Sequence, residues 1–400
     1  MSKNLSYVLV TPYTIAKSRT GGIISRLMSR TDLELVGAQI FAPDEALACE
    51  YSMGLRKRAP QNQLMLLADY AEKKFAPTNG RPHRTLLLLF QGENPSEKLL
   101  TACGHIYTQH VEVDAMFGET IRDTYADLIF SHNQPDEVNY FEPAVMTPRG
   151  QEEANQDLLL MAKFLKGKRN IVENVIYPDP SIIEQTLVII KPDNWKTNSS
   201  RPGTIIDMFS RTGLRIIGMK IHRFSLAEAL DFYGPVEAAL KEKLSAGFGQ
   251  KAKELLEKEC KFSLSSKSSK MLEETFGIEC AEDQFAQIIE FMSGKRPCRN
   301  DSSEGFKTAC YTPEEINRPG DVKSMIIIYE GENAINKIRD VLGPTDPLQA
   351  PEGTVRREFG SNVMVNTAHA SDSEESYKRE KAIVRTEENS LADIILEQLG

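Results

Sequence analysis

Apolar positions along the chain fall into two periodicities, and the two alternate in the same order twice. In the first stretch, apolar runs at 7–10, 33–41 and 85–90 predict strands, and an apolar-periodic helix opens at Gly21 and Gly22. The second stretch begins at Thr186. A strand there again ends in proline, Gly203 precedes a helix over 204–211, 214–224 alternates as a strand, and 325–329 is a third strand. Each third strand leads through Gly-Glu-Asn, at 92–94 and at 331–333, into another helix. Gly118-Glu-Thr-Ile-Arg122 is echoed by Gly353-Thr-Val-Arg356, and charged helices over 151–165 and 374–384 close the two stretches. Repetition of local signals in one order predicts duplicated domains. The order within each predicts an α+β fold of two tandem ferredoxin-like (split βαβ) domains, each an antiparallel four-stranded sheet covered by helices.

Residues 166–181, which contain Tyr-Pro-Asp-Pro, read as a linker. The expected organisation is a domain over 1–168, a linker over 169–181 and a domain over 182–400 that carries an insertion at about 241–322. Within the insertion the Ser- and Lys-rich run 263–270 predicts a surface loop, and 285–292 has helical spacing.

Composition narrows the function. Four hundred residues suit two domains, and a net charge of −9 argues against bulk nucleic-acid binding. The apolar runs are far shorter than the ~20 residues of a membrane helix, and residues 1–13 lack the pattern of a secretory signal. A cytoplasmic protein is expected. Six cysteines without metal or redox spacing are expected as free thiols. Walker A and Gly-x-Ser-x-Gly motifs are missing, which removes P-loop and standard serine-hydrolase chemistry.

Of the six histidines, His369 stands in a distinct setting, Asn366-Thr-Ala-His-Ala-Ser-Asp-Ser373, directly before a helix whose cap is expected at Ser371 or Asp372. Backbone N–H groups at a helix start favour an incoming phosphate, and Glu380 on that helix can reach back to fix the imidazole tautomer. Nucleophilic phosphoryl chemistry follows from these residue types.

These residues carry a resemblance. Lys191-Pro-Asp193 after a strand, Gly331-Glu-Asn, Leu342-Gly-x-Thr345-x-Pro347, Gly353-Thr-x-Arg356 and Asn366-x-x-His-x-Ser-Asp-Ser-x-Glu-Ser376 resemble the nucleoside diphosphate kinase family in kind and order. The resemblance spans residues 186–384 outside the insertion, and more faintly 7–165. It implies ping-pong transfer of a γ-phosphoryl group from a nucleoside triphosphate to a nucleoside diphosphate through His369. Glu380 and Ser371 would serve the histidine. Lys191, Arg339 and Arg356 would contact phosphates, and Tyr233, Thr345 and Asn366 would contact phosphates or sugar. Mg²⁺ would be held mainly by the nucleotide, so no protein metal site is expected.

The family has glycine after its histidine, where this chain has Ala370, which requires a backbone that avoids positive φ. The base-stacking residue is unassigned, with Phe248 and Phe285 as candidates. In the first repeat the lysine position is Thr11 and the histidine position falls near Met146, so that repeat is expected to be inactive and to serve as a packing partner in an intramolecular pseudo-dimer, with further homo-oligomers possible. The alternative reading is a nucleotide-binding or phosphohistidine-signalling pseudoenzyme without efficient exchange.

Overall fold

The first repeat builds a sheet from β1 (Asn4–Val10), β2 (Glu34–Phe41), β3 (Thr85–Gly92) and β6 (Val145–Met146). Its helices are α1 (Pro12–Ala16), α2 (Thr20–Arg30), α3 (Glu45–Lys57), α4 (Asn62–Phe75), α5 (Pro95–Cys103), α6 (Ile121–Tyr125) and α7 (Gln151–Leu165), and a hairpin of β4 (Asp127–Phe130) and β5 (Val138–Glu142) precedes β6. The second repeat uses β7 (Ile183–Ile190), β8 (Arg215–His222), β9 (Ser324–Glu332) and β10 (Ala368–Ala370). Between β7 and β8 lies α8 (Arg201–Ser210); after β8 come α9 (Leu226–Cys260), α10 (Ser266–Leu272), α11 (Ile278–Ser293) and α12 (Pro313–Asn317). The chain closes with α13 (Ala334–Leu342), α14 (Val355–Phe359), α15 (Glu374–Ile383) and α16 (Leu391–Leu399). This computed structural model describes residues 4–58, 62–104, 106, 118–130, 138–298 and 310–400. His105, His110, His132 and residues 299–309 of the expected insertion lie outside the described residues.

Strand order is β2-β3-β1-β6 in one sheet and β8-β9-β7-β10 in the other, so the two copies share one topology and the split βαβ fold is present twice. Backbone detail repeats as well. Asn94 and Asn333, the third residues of the two Gly-Glu-Asn triplets, both adopt the left-handed conformation (φ 49° and 52°) at the start of α5 and α13. Asparagine tolerates that region better than most side chains, which accounts for its recurrence.

The chain divides into two compact units, one of Met1–Ile221 with Met325–Gly400 and the other of His222–Ser324. Both sheets belong to the first unit. Its two repeats share one continuous apolar core, which takes in Ile23, Ile24 and Leu27 of α2 with Ile205, Ile206 and Phe209 of α8. The helices α2 and α8 cross at glycine. A methyl group on Gly21 would lie 2.5 Å from the Asp207 nitrogen and 2.6 Å from the Gly203 oxygen, and one on Gly203 would overlap the Ser25 nitrogen and Gly21 oxygen. Gly203 lies within the first turn of α8, not ahead of the helix as the sequence suggested. Asn198 fastens the same seam by donating to the carbonyls of Thr31 and Leu33 at 3.0 Å each.

A second apolar cluster covers the other face of the first sheet, under α3, α4 and α7. The last helix completes it. Leu391 and Ile395 of α16 are fully buried there, and Asn389 donates to the Ala38 carbonyl at 3.0 Å.

In the smaller unit α11 packs along α9, whose start is closed by a reciprocal capping pair, Ser225 and Glu228. The run 263–270, expected as a loop, is helical in its greater part, because Ser265 caps α10 by accepting from the Ser268 amide. Cys298 and Cys310 form a disulfide with Cα atoms 6.1 Å apart, which corrects the expectation of six free thiols; the other four are free. None of the described helices is long and apolar enough to cross a membrane.

Candidate active site

Strand β10 pairs antiparallel with β7, setting Ala368, His369 and Ala370 opposite Ile190, Ile189 and Val188. Ala370 is thus ordinary strand, and the left-handed residue is Thr367 (φ 72°), two positions ahead of the histidine. The cap of α15 is Ser373, which accepts from the Ser376 amide, rather than Ser371 or Asp372. Those two residues are left for other work. Ser371 is fully buried and donates to Glu380 Oε2 at 2.7 Å, while Glu380 Oε1 lies 3.0 Å from His369 Nε2. One buried carboxylate on α15 therefore touches both the histidine and the serine two residues beyond it.

Lys191 follows β7 and is held at both ends. Its amide donates to the Thr367 carbonyl at 2.9 Å and its Nζ donates to Asn366 Oδ1 at 2.7 Å. Asn366, itself buried, donates onward to the carbonyls of Thr345 and Val363. Burial, and then the charge of Arg356, pull the Lys191 ammonium down to about 7, with Asp193 opposing. Arg356 on α14 donates to the Gly343 carbonyl at 3.0 Å and to the Ala368 carbonyl at 3.1 Å, next to the histidine. Arg339 is exposed on α13. A hydrogen bond from Ser376 holds Asp372 below the usual carboxylate range, against partial burial and with help from the charge of Arg339.

The sequence reading missed Arg201. From the first turn of α8 it donates to Asp193 Oδ2 at 3.0 Å, to Thr367 Oγ1 at 2.7 Å and to the Phe359 carbonyl at 2.5 Å. It binds the Lys191 turn, the end of α14 and the left-handed Thr367 into one frame. No motif marked it, since its partners come from three separate segments.

His369, Glu380 and Ser371 are in contact, Lys191 and Asn366 form a second contact set that includes the Thr345 carbonyl, and Arg356 joins the backbone beside the histidine. Thr345 has an exposed side chain. Tyr233 belongs to the smaller unit, on α9, with its ring 5.3 Å from that of Phe232. Among the described residues no group of three or more His, Cys, Asp or Glu side chains could hold a metal ion.

The family model for nucleoside diphosphate kinase matches residues 184–243 and 315–389, passing over 244–314. A nucleoside diphosphate kinase of Bdellovibrio bacteriovorus is 29% identical over 201 residues, which cover 50% of this chain and 92% of the relative. One from Chlamydia trachomatis is 27% identical over 194 residues, 48% of this chain and 86% of the relative. About half of this chain is similar in sequence to nucleoside diphosphate kinases. Among solved structures, the Aquifex aeolicus nucleoside diphosphate kinase is 24% identical, with coverage of 50% of this chain and 94% of that one and a TM-score of 0.30.

The repeat that carries this similarity has a counterpart site in the first repeat. Met146 pairs with Leu9 and Val145 with Val10. The Thr11 amide donates to the carbonyl of Ala144 (φ 61°), as the Lys191 amide does to that of Thr367. Arg122 donates to the carbonyls of Gly104 and Val145, matching Arg356 bond for bond. Asp157, seven residues past the cap of α7 as Glu380 is past the cap of α15, receives the Tyr7 hydroxyl at 2.8 Å and is ion-paired with Arg58 at 2.7 Å. Frame and carboxylate persist, whereas the histidine and the lysine do not.

Proposed function

We propose that the second repeat is a nucleoside diphosphate kinase-type phosphotransferase with His369 as nucleophile. The observation that carries this reading is the Glu380 carboxylate, 3.0 Å from His369 Nε2 and bonded to Ser371. A carboxylate there favours the tautomer protonated at Nε2, leaving the Nδ1 lone pair to attack. Nδ1 would form a bond to the γ-phosphorus while the bond to the bridging β–γ oxygen breaks and nucleoside diphosphate leaves. An acceptor diphosphate then takes the phosphoryl group through its terminal oxygen, regenerating neutral His369.

Lys191, Arg339 and Arg356 supply positive charge for the transferring group, and Asn366 holds Lys191 in place while Thr345 and Tyr233 serve phosphates or sugar. Mg²⁺ enters as part of the nucleotide substrate. In this reading residues 1–168 are a degenerate domain, 169–181 a linker, and 182–400 the transferase domain with an insertion at about 241–322.

The test is incubation of the whole protein with γ-labelled ATP and Mg²⁺. Acid-labile, base-stable label should appear and should be chased by a nucleoside diphosphate with a different base. Label that survives in His369→Ala refutes the assignment. Label that forms but cannot be chased supports the phosphohistidine and refutes exchange.

A further inference from the structure

A cavity of about 310 Å³ lies on the seam between the two repeats, apart from the histidine site. Arg84, just ahead of β3 in the first repeat, reaches across to donate to the Ile216 carbonyl in the second. Arg215, at the start of β8, donates to Asn174 Oδ1 at 2.6 Å, and Asn174 in turn donates to the Pro82 carbonyl at 2.7 Å. Both arginines line the cavity.

Neither guanidinium has a carboxylate within 4.0 Å among the described residues, although Arg84 is only 7% exposed. The acid whose charge acts on Arg84 is Glu330, and its two oxygens accept from Tyr177 at 3.0 Å and Gln185 at 3.0 Å. Burial, then the charge of Arg215, pull Arg84 down to about 10. Two like charges thus share a low-dielectric wall with Glu330 acting on Arg84 only from beyond ion-pair distance, an arrangement that a bound anion would relieve.

The walls also concentrate unused hydrogen-bonding capacity. Arg215 Nε, Thr20 Oγ1 and Tyr329 Oη are buried with no protein hydrogen-bond partner, and all three residues line this cavity. Buried polar atoms are nearly always paired, so three left over among the residues around one cavity give it hydrogen-bonding capacity that the protein itself does not use. Hydroxyls and guanidinium N–H groups suit an oxyanion. We propose that the cavity between the repeats, walled by Arg84, Arg215, Thr20 and Tyr329, is a binding site for a small oxyanion of the phosphate type that ties the two repeats together.

Because a ligand that binds only the folded state raises its stability, thermal unfolding of the full chain in rising inorganic phosphate tests the site. Chloride at matched ionic strength controls for screening, and Lys191→Gln removes the lysine of the histidine site. The melting temperature of the native protein and of Lys191→Gln should rise with phosphate and saturate. In Arg215→Gln the apparent affinity should weaken about tenfold or more, and without phosphate that variant should be at least as stable as the native protein, since the like-charge contact is gone. Arg84→Gln should behave similarly. A phosphate response unchanged in Arg215→Gln, one abolished by Lys191→Gln, or one reproduced by chloride would each overturn the proposal.

Discussion

Met146 and His369 occupy the same place in two copies of one sheet: Met146 lies opposite Leu9 on β1 as His369 lies opposite Ile189 on β7. Restoring the imidazole alone should not restore chemistry. Thr11 stands where Lys191 does, and the carboxylate equivalent to Glu380 is already committed to Arg58 and Tyr7. With His369→Ala as background, the Met146→His protein is therefore expected to take no label from γ-labelled ATP. Label at Met146→His would show that the frame and Arg122 suffice, and that Lys191 is dispensable in the second repeat as well.

Glu380 contacts His369 at Nε2, and in the proposed reaction Nδ1 attacks, so removal of the carboxylate should be felt in turnover more than in nucleotide binding. Partners that orient a histidine typically contribute about 10- to 100-fold. Glu380→Gln should lower kcat by that order while nucleotide affinity stays within about twofold. Ser371→Ala, which removes one bond to that carboxylate, should cost less than Glu380→Gln. A rise in KM with unchanged kcat would instead place Glu380 in binding.

The sheets and their order were legible because period-2 apolar runs and the paired Gly-Glu-Asn triplets are local signals, and the topology follows from them. The triad of His369, Glu380 and Ser371 was legible for a similar reason: strand, turn and helix bring them together within one short segment. Arg201 was not, because its three partners are distant in sequence. Nor were the glycines, since Gly21 and Gly203 read as helix openers and only the crossing of α2 with α8 gives them a purpose. The Arg84 and Arg215 pairing is invisible for the same cause, as each arginine alone resembles a surface cation.

Lys191 gives a pH signature with a fixed sign. Its ammonium is pulled from an ordinary 10.5 to about 7 in the folded, ligand-free protein. Between those values the unfolded chain binds a proton that the folded chain does not, so this group makes stability rise with pH across that window. The difference in chemical-denaturation stability between native protein and Lys191→Met should narrow as pH rises from about 7 to 10.5. Phosphate contact needs the ammonium form, so kcat/KM should fall as pH rises through about 7. A lysine that titrates normally would leave both profiles flat in this range.

Helix glycines here should respond to alanine with opposite signs. In α9, Gly247 has no heavy atom within 4 Å of a built Cβ, so Gly247→Ala should stabilise by up to about 1 kcal/mol through helix propensity. Gly203→Ala gains the same propensity but drives a methyl group into the backbone of α2. Overpacking of this kind costs about 1–3 kcal/mol, so a net loss is expected, measured by urea denaturation. Equal effects at the two positions would mean that the repeats are not held together at this crossing.

The last helix should matter to the repeat that it does not belong to in sequence. Leu391 and Ile395 are fully buried over the first sheet, with Leu391 directly against Gly37, and Gln91 of β3 donates to Gln398 at 2.9 Å. Their burial closes an apolar cluster that includes Leu5, Leu87 and Leu158, none of which has any part in the histidine site. Truncating such side chains to alanine costs about 2–5 kcal/mol each. Leu391→Ala and Ile395→Ala should therefore each lower the unfolding midpoint, and proteolysis under native conditions should begin in the first repeat. His369 is framed by β7, α14 and α15, so its labelling rate per folded molecule should stay unchanged well below the melting temperature. If labelling falls in step with the loss of α16 packing while the fold stays intact, the two repeats are coupled through this helix, and the first repeat sets the geometry of the second site.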